Sequence, residues 1–170
     1  MRVLMTGGGT AGHINPALAI ADKIKAEQPD AQILFVGAKG RMETTLVPQA
    51  GYPIRTVDVR GFQRRISVKN IGRNLSAAVH AVTAGAQAAK ILRDFHPDIA
   101  IGTGGYVSGP VLRKAAKMGI PVLTHESNAL PGMTVRMLAK YAAVTMLAEE
   151  AARKYLPPEV TVEVTGNPLR

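Results

Sequence analysis

Three stretches of this chain concentrate residues able to do chemistry. Gly7-Gly8-Gly9-Thr10-Ala11-Gly12-His13 places four glycines within six positions, directly ahead of an imidazole. Glycines let a backbone approach a phosphate closely, and a helix that comes after them offers unpaired N–H groups at its start. Gly102-Thr103-Gly104-Gly105-Tyr106-Val107-Ser108-Gly109-Pro110 repeats the arrangement, with Ser108 expected as a helix cap and Pro110 in the first turn. Two such turns on one rim suit a paired-phosphate or pyrophosphate group. His125-Glu126-Ser127-Asn128-Ala129-Leu130-Pro131-Gly132 adds an imidazole, a carboxylate and a carboxamide, groups that can orient or deprotonate a sugar hydroxyl.

Several chemistries are excluded. Gly7, Gly9 and Gly12 satisfy G-x-G-x-x-G, but the second apolar run ends in Val36-Gly37-Ala38-Lys39, without the acidic residue that holds a dinucleotide ribose. Gly12 is followed by His13-Ile14 and not Lys-Thr, so this is no nucleotide-triphosphate P-loop. The four histidines, His13, His80, His96 and His125, make no i, i+4 pair, and no metal or other cofactor is expected. There is no cysteine, which removes thiol nucleophiles and a disulfide framework. Three Phe, four Tyr and no Trp leave little to stack on the bases of a nucleic acid, so none is expected as a partner.

The elements that must position these loops are set by hydrophobic periodicity. Short apolar runs near 2–6, 32–36, 54–59, 98–101, 121–124, 143–147 and 160–164 alternate with amphipathic segments near 15–27, 42–50, 68–93, 109–118, 132–140 and 149–155. That alternation specifies βαβ units and one α/β domain, a Rossmann-like parallel sheet of about seven strands with helices on both faces. Pro29 and Pro97 stop the helices before them, and Gly51 and Gly119 fit left-handed caps. The 170 residues are 46% hydrophobic and 19% charged, enough to bury a core and too apolar for a disordered tail.

The net charge of +9 is uneven. Arg55, Arg60, Arg64, Arg65, Lys69 and Arg73 face only Asp58 between residues 55 and 73. Val68, Ile71, Leu75, Val79, Val82, Ala86 and Ala89 then recur at helical spacing. Such a stripe is usually core, but Arg64, Arg65, Lys69, Ile71, Arg73 and Leu75 could also contact an anionic bilayer, each cation contributing on the order of 1 kcal/mol.

Taken in order, GGGTAGHINPALAIA, GRMETTLVPQAG, GTGGYVSGP, HESNALPG and GNPLR resemble the MurG family of peptidoglycan N-acetylglucosaminyltransferases over the whole chain. Ala11 stands where that family commonly has Gly, and Ser127 where it usually has Gln. The resemblance implies one half of a GT-B glycosyltransferase: residues 1–170 as an amino-terminal acceptor-binding domain, with a carboxyl-terminal donor-binding domain outside this chain. It implies transfer of GlcNAc from UDP-GlcNAc to the muramyl 4-hydroxyl of undecaprenyl-pyrophosphoryl-MurNAc-pentapeptide (lipid I), with inversion, giving lipid II. The loops Gly7 to Gly12 and Gly104 to Gly109, with Gly105, Tyr106 and Ser108 among the latter, would bind the acceptor diphosphate. Thr10, Ala11, Gly12, Asn128 and Arg170 would meet the nucleotide sugar. His13 and Glu126 are the candidates for the base, with His13 favoured because neutral imidazole suits proton transfer near pH 7. The Ile71 and Leu75 patch would hold the protein on the cytoplasmic face of the bacterial inner membrane, and the domain would be inactive alone. Two alternatives stay open: half of a nucleotide-sugar epimerase, and a single-domain anchoring subunit of a two-chain glycosyltransferase.

Overall fold

The computed structural model describes residues 1–59 and 68–170, with the side chains of 68–79, 81 and 82 outside the description. Arg64, Arg65, Lys69, Ile71, Arg73 and Leu75, the membrane-contact residues expected from sequence, lie outside the described residues or side chains.

The chain runs β1 (Arg2–Thr6), α1 (Ala11–Glu27), β2 (Gln32–Ala38), α2 (Glu43–Gln49), β3 (Ile54–Val57), α3 (Val68–Phe95), β4 (Ile99–Gly102), α4 (Ser108–Lys117), β5 (Val122–Glu126), α5 (Met133–Leu138), β6 (Val144–Leu147) and β7 (Val162–Val164). The strands form one parallel sheet in the order β3-β2-β1-β4-β5-β6-β7. The central strands alternate their side chains between two cores, while Leu147 of β6 and Val162 of β7 belong to a third, smaller cluster. Val3, Met5, Ile33, Phe35 and Ile101 join Ile14, Leu18 and Val47 from α1 and α2. Leu4, Leu34, Val36, Ala100 and Val122 join residues of α3, α4 and α5, among them Leu92, Leu112 and Leu138. Both faces of the central strands are therefore dry, which is why they read as continuous apolar runs.

The chain reverses its winding between β1 and β4, and strand register levels the loops beyond them. Thr6 lies opposite Val36 on one side and Gly102 on the other, and Gly102 lies opposite Thr124. The loops after β1, β4 and β5 thus leave the sheet at one level, over the switch point where open α/β sheets form their ligand crevice. Helix ends behave as the glycines demand. Gly119 (φ +77°) donates to Ala116 O and Ile120 to Ala115 O, and Gly51 (φ +87°) with Tyr52 closes α2 in the same way.

Two expected boundaries move. The helix expected near 15–27 begins at Ala11, because Thr10 is extended (φ −145°, ψ 156°) and the next turn is already helical. Pro16 therefore sits inside α1, where its ring removes the donor that would have met the Gly12 carbonyl. The segment expected as a helix over 149–155 is a 3-10 turn, Glu150–Tyr155, and Ala139–Tyr141 after α5 is another, both closed by i to i+3 bonds that suit such short connections.

Candidate functional site

The two glycine loops are one interlocked body. A methyl group on Gly105 (φ +79°) would overlap the carbonyl oxygen of Gly8, and one on Gly104 (φ +104°) would come 2.7 Å from His13 Nδ1. Only glycine tolerates both the backbone conformation and the contact. Thr103 Oγ1 donates to the His13 carbonyl at 2.6 Å, and the His13 ring answers with Nδ1 at 3.1 Å from the Thr103 carbonyl. A carbonyl can only accept, so Nδ1 carries a hydrogen, and the tautomer this selects has its lone pair on Nε2. The first loop thus presents an imidazole whose tautomer is set by the second.

Ser108 is a correction to the expected cap. It is the first residue of α4, Val107 holds the cap position, and the Ser108 side chain is fully buried with its hydroxyl shared between the carbonyls of Gly104 (2.6 Å) and Thr6 (3.2 Å). It ties the second loop to β1 and is shielded from any ligand. Gly109 is buried beside Thr134 and Met137 of α5, which brings the third loop alongside the second.

With Ser108 turned inward, neither α1 nor α4 has a side-chain cap, and neither has an acidic residue in its first turn. Thr10, Ala11 and Gly12 are exposed at the start of α1. The start of α1, carrying roughly half a positive charge, is open to solvent, an arrangement that favours an anion, whereas α4 begins on buried Val107, Ser108 and Gly109. The third loop differs. Glu126, 2% exposed, accepts from Asn128 N (2.9 Å), Asn128 Nδ2 (2.7 Å) and Gly132 N (2.7 Å), so its carboxylate shapes the loop and closes the start of α5. That leaves His13, half-buried with Nε2 uncommitted, as the better placed of the two candidate bases.

His125 sits behind this loop, fully buried, with Nε2 3.1 Å from the Gly166 carbonyl and Nδ1 3.5 Å from Ser127 Oγ. Burial pushes its pKa below the ordinary value, against the smaller upward pulls of the Gly166 bond and Glu126. Tyr106 lies over Gly9, the ring 3.2 Å from where a Gly9 methyl would be. Burial raises its phenol, and the Arg41 guanidinium beside it draws it back.

Arg170 is not brought to this rim. Its Nε is 2.7 Å from Asp22 Oδ2, and Asp22 lies eleven residues along α1 from Ala11, about 16 Å down the helix. Asp22 also accepts from Tyr52 at 2.7 Å.

The residue that sequence reasoning missed is Glu43. It is fully buried, and its carboxylate accepts from Gly9 N (3.0 Å) and Ala38 N (2.9 Å) directly beneath the first loop. The available signal was Gly37, a glycine inside a strand, which marks a close approach by something else. A methyl there would lie 2.5 Å from Glu43 Cγ.

Known proteins share this geometry. A family model described as "Glycosyltransferase family 28 N-terminal domain" matches residues 3–147. A relative from Ruminiclostridium cellulolyticum, named UDP-N-acetylglucosamine--N-acetylmuramyl-(pentapeptide) pyrophosphoryl-undecaprenol N-acetylglucosamine transferase, is 49% identical over 170 residues, which are 100% of this chain and 46% of the relative. The chain spans about half the length of the curated relatives it matches. Among solved structures, Acinetobacter baumannii MurG superposes with a TM-score of 0.79 at 29% identity, covering 99% of this chain and 46% of that one. A UDP-GlcNAc 2-epimerase from Neisseria meningitidis, bound to UDP-GlcNAc, reaches 0.66 at 16% identity, covering 98% and 46%, a likeness of fold alone. The expected Rossmann-like architecture of a GT-B half is thereby observed. Matched from residue 3 to residue 147, across both glycine loops and the third loop beside them, this chain belongs to the glycosyltransferase family 28 N-terminal domain.

Proposed function

We propose that this domain is the acceptor-binding half of an inverting N-acetylglucosaminyltransferase that converts lipid I to lipid II. The observation that carries the reading is the uncapped, exposed start of α1 locked beside the second glycine loop by the Gly105–Gly8 and His13–Thr103 contacts. The acceptor diphosphate lies across them, neutralised by N–H groups of Ala11, Gly12 and the second loop, with Tyr106 at its side. The muramyl 4-hydroxyl then faces His13. Its proton passes to Nε2 as the hydroxyl oxygen bonds to the anomeric carbon of GlcNAc, the bond from that carbon to UDP breaks, and configuration inverts. Thr103 holds the imidazole so that the lone pair and not the N–H faces the hydroxyl. Glu126 holds Asn128 at the rim, where the carboxamide oxygen stays available to the nucleotide sugar. Arg170 reaches the donor only by leaving Asp22.

The displacement needs both substrates held in line, so the domain alone turns over no UDP-GlcNAc. It works on the cytoplasmic face of the bacterial inner membrane, held by the basic, apolar stretch from Arg64 to Leu75. Among the described residues no helix is long and apolar enough to cross a membrane.

Calorimetric titration of the 170-residue chain with a soluble, short-prenyl analogue of lipid I tests the reading. Saturable one-to-one binding is expected, with UDP-GlcNAc alone binding far more weakly. Preference for UDP-GlcNAc over the acceptor analogue would overturn the assignment.

A further inference from the structure

Glu43 is a fully buried acidic residue that the proposed mechanism does not use. A carboxylate with no exposed surface is costly to bury, and none of the ion pairs among the described residues includes it. Its partners are backbone groups from two separate segments, Ala38 N at the end of β2 and Gly9 N at the apex of the first glycine loop. The surroundings are cut to admit it. A methyl on Gly8 would come within 2.5 Å of Glu43 Cδ and one on Gly37 within 2.5 Å of Cγ, so two glycines keep the space that this side chain fills.

The consequence is directional. Gly9 adopts φ +86° and is held between the Glu43 carboxylate on its N–H side and the Tyr106 ring, 3.2 Å from a Gly9 methyl position. In a glycine loop that cradles phosphate, successive N–H groups turn outward to form the concavity. Here the apical N–H is turned inward onto a carboxylate, and the exposed backbone of the first loop is that of Thr10, Ala11 and Gly12 at the start of α1. We propose that Glu43 is a positioning residue that withdraws Gly9 from the anion site and fixes the phosphate against the start of α1, in the same turn as His13. This rests on the acceptor reading for its physiological ligand, but the statement about which N–H groups meet an anion holds for any diphosphate.

The test uses inorganic pyrophosphate with the 170-residue chain, followed by amide nuclear magnetic resonance. In the wild type, the Gly9 amide exchanges with solvent far more slowly than that of exposed Gly40, and pyrophosphate shifts the Ala11 and Gly12 amides while leaving Gly9 in place. In Glu43→Gln the amide group can accept from only one of the two backbone donors. Gly9 protection then falls and pyrophosphate affinity drops about tenfold or more, because a small displacement of a binding group is amplified in affinity. A Gly9 amide that exchanges as fast as Gly40, or that shifts with pyrophosphate as strongly as Gly12, overturns the proposal, as does a folded Glu43→Gln that binds within about twofold of wild type or a wild type that pyrophosphate leaves unshifted. If Glu43→Gln does not fold, the wild-type amides decide alone. Pyrophosphate binding of the expected pattern, combined with failure to bind the lipid I analogue, would refute the acceptor assignment and leave the role of Glu43 standing.

Discussion

Replacing Gly105 with alanine tests whether the two glycine loops are truly one body. Two costs arise. The left-handed backbone at φ +79° costs an L side chain about 1–2 kcal/mol. The new methyl also overlaps the Gly8 carbonyl oxygen and lies 3.1 Å from the Gly8 carbonyl carbon and nitrogen, where ordinary contact needs about 3.5 Å. Those neighbours are backbone and cannot rotate away, so relief requires separating the loops, at about 1–3 kcal/mol. Gly40→Ala is the internal reference: its φ is +67° and nothing lies within 4 Å of its methyl position, so it reports the backbone cost alone. Both variants lose the same unfolded-state entropy, which cancels in the comparison. Urea unfolding should therefore give Gly40→Ala a loss of about 1–2 kcal/mol and Gly105→Ala a loss of about 2–5 kcal/mol. With slopes of about 1–3 kcal/mol per molar urea, the midpoints differ by roughly 1 M. Coincident midpoints would refute the interlock, and with it the claim that one loop sets the imidazole of the other.

Other consequences can be measured separately. Joined to the carboxyl-terminal half of the Ruminiclostridium cellulolyticum relative, the domain with His13→Ala should lose about 10²–10⁴ in kcat, and a loss of less than about tenfold would remove His13 as the base. His125 has its folded pKa lowered by burial, so the stability it contributes is present above its ordinary value of about 6.5 and is lost as pH falls through the lowered one. Melting temperature should drop more steeply as pH falls below about 6.5 in wild type than in His125→Gln, and parallel curves would contradict the assignment. The Tyr52 phenol is pushed up to about 12 by burial and then by its bond to Asp22. Its stabilising contribution is present below about pH 10 and is lost as pH rises from there through about 12, so ultraviolet titration should show, besides Tyr106, a late-ionising tyrosine that Tyr52→Phe removes and Asp22→Asn brings down. Ionisation of Tyr52 together with exposed Tyr155 would show that the bond to Asp22 does not persist in solution.

Much of the fold was legible because its signals are local. The apolar runs of Val3-Leu4-Met5 and Ile33-Leu34-Phe35-Val36 have the length and composition of strands covered on both faces, and they are. Gly51 and Gly119 announced helix ends that the left-handed backbone confirms. Where local signals misled, a competing interaction explains the miss. Pro16 looked like the first residue of a helix, but a proline deeper inside is tolerated once the Gly12 carbonyl can be left at the exposed start of α1. Ser108 had the composition of a cap, yet its hydroxyl finds the Thr6 carbonyl, 102 positions away, which no local pattern reveals.

The sequence by itself determined the set of turns and the chemistry they carry: glycines in two βα loops, an imidazole after the first, a carboxylate and carboxamide after the fifth strand, and no residues for a dinucleotide, a metal or a thiol. These depend on residue type and short spacing, which fix backbone conformation within a turn. Only the tertiary structure decided which groups face outward. Strand register brought the loops to one rim, the Thr103 carbonyl chose the His13 tautomer, and Ser108 and Glu43 turned inward. Those choices depend on partners 90 or more positions apart for His13 and Ser108, and 34 apart for Glu43 and Gly9. A buried polar group takes whichever partner the packed chain places within reach, and that is a property of the fold and not of the neighbouring residues.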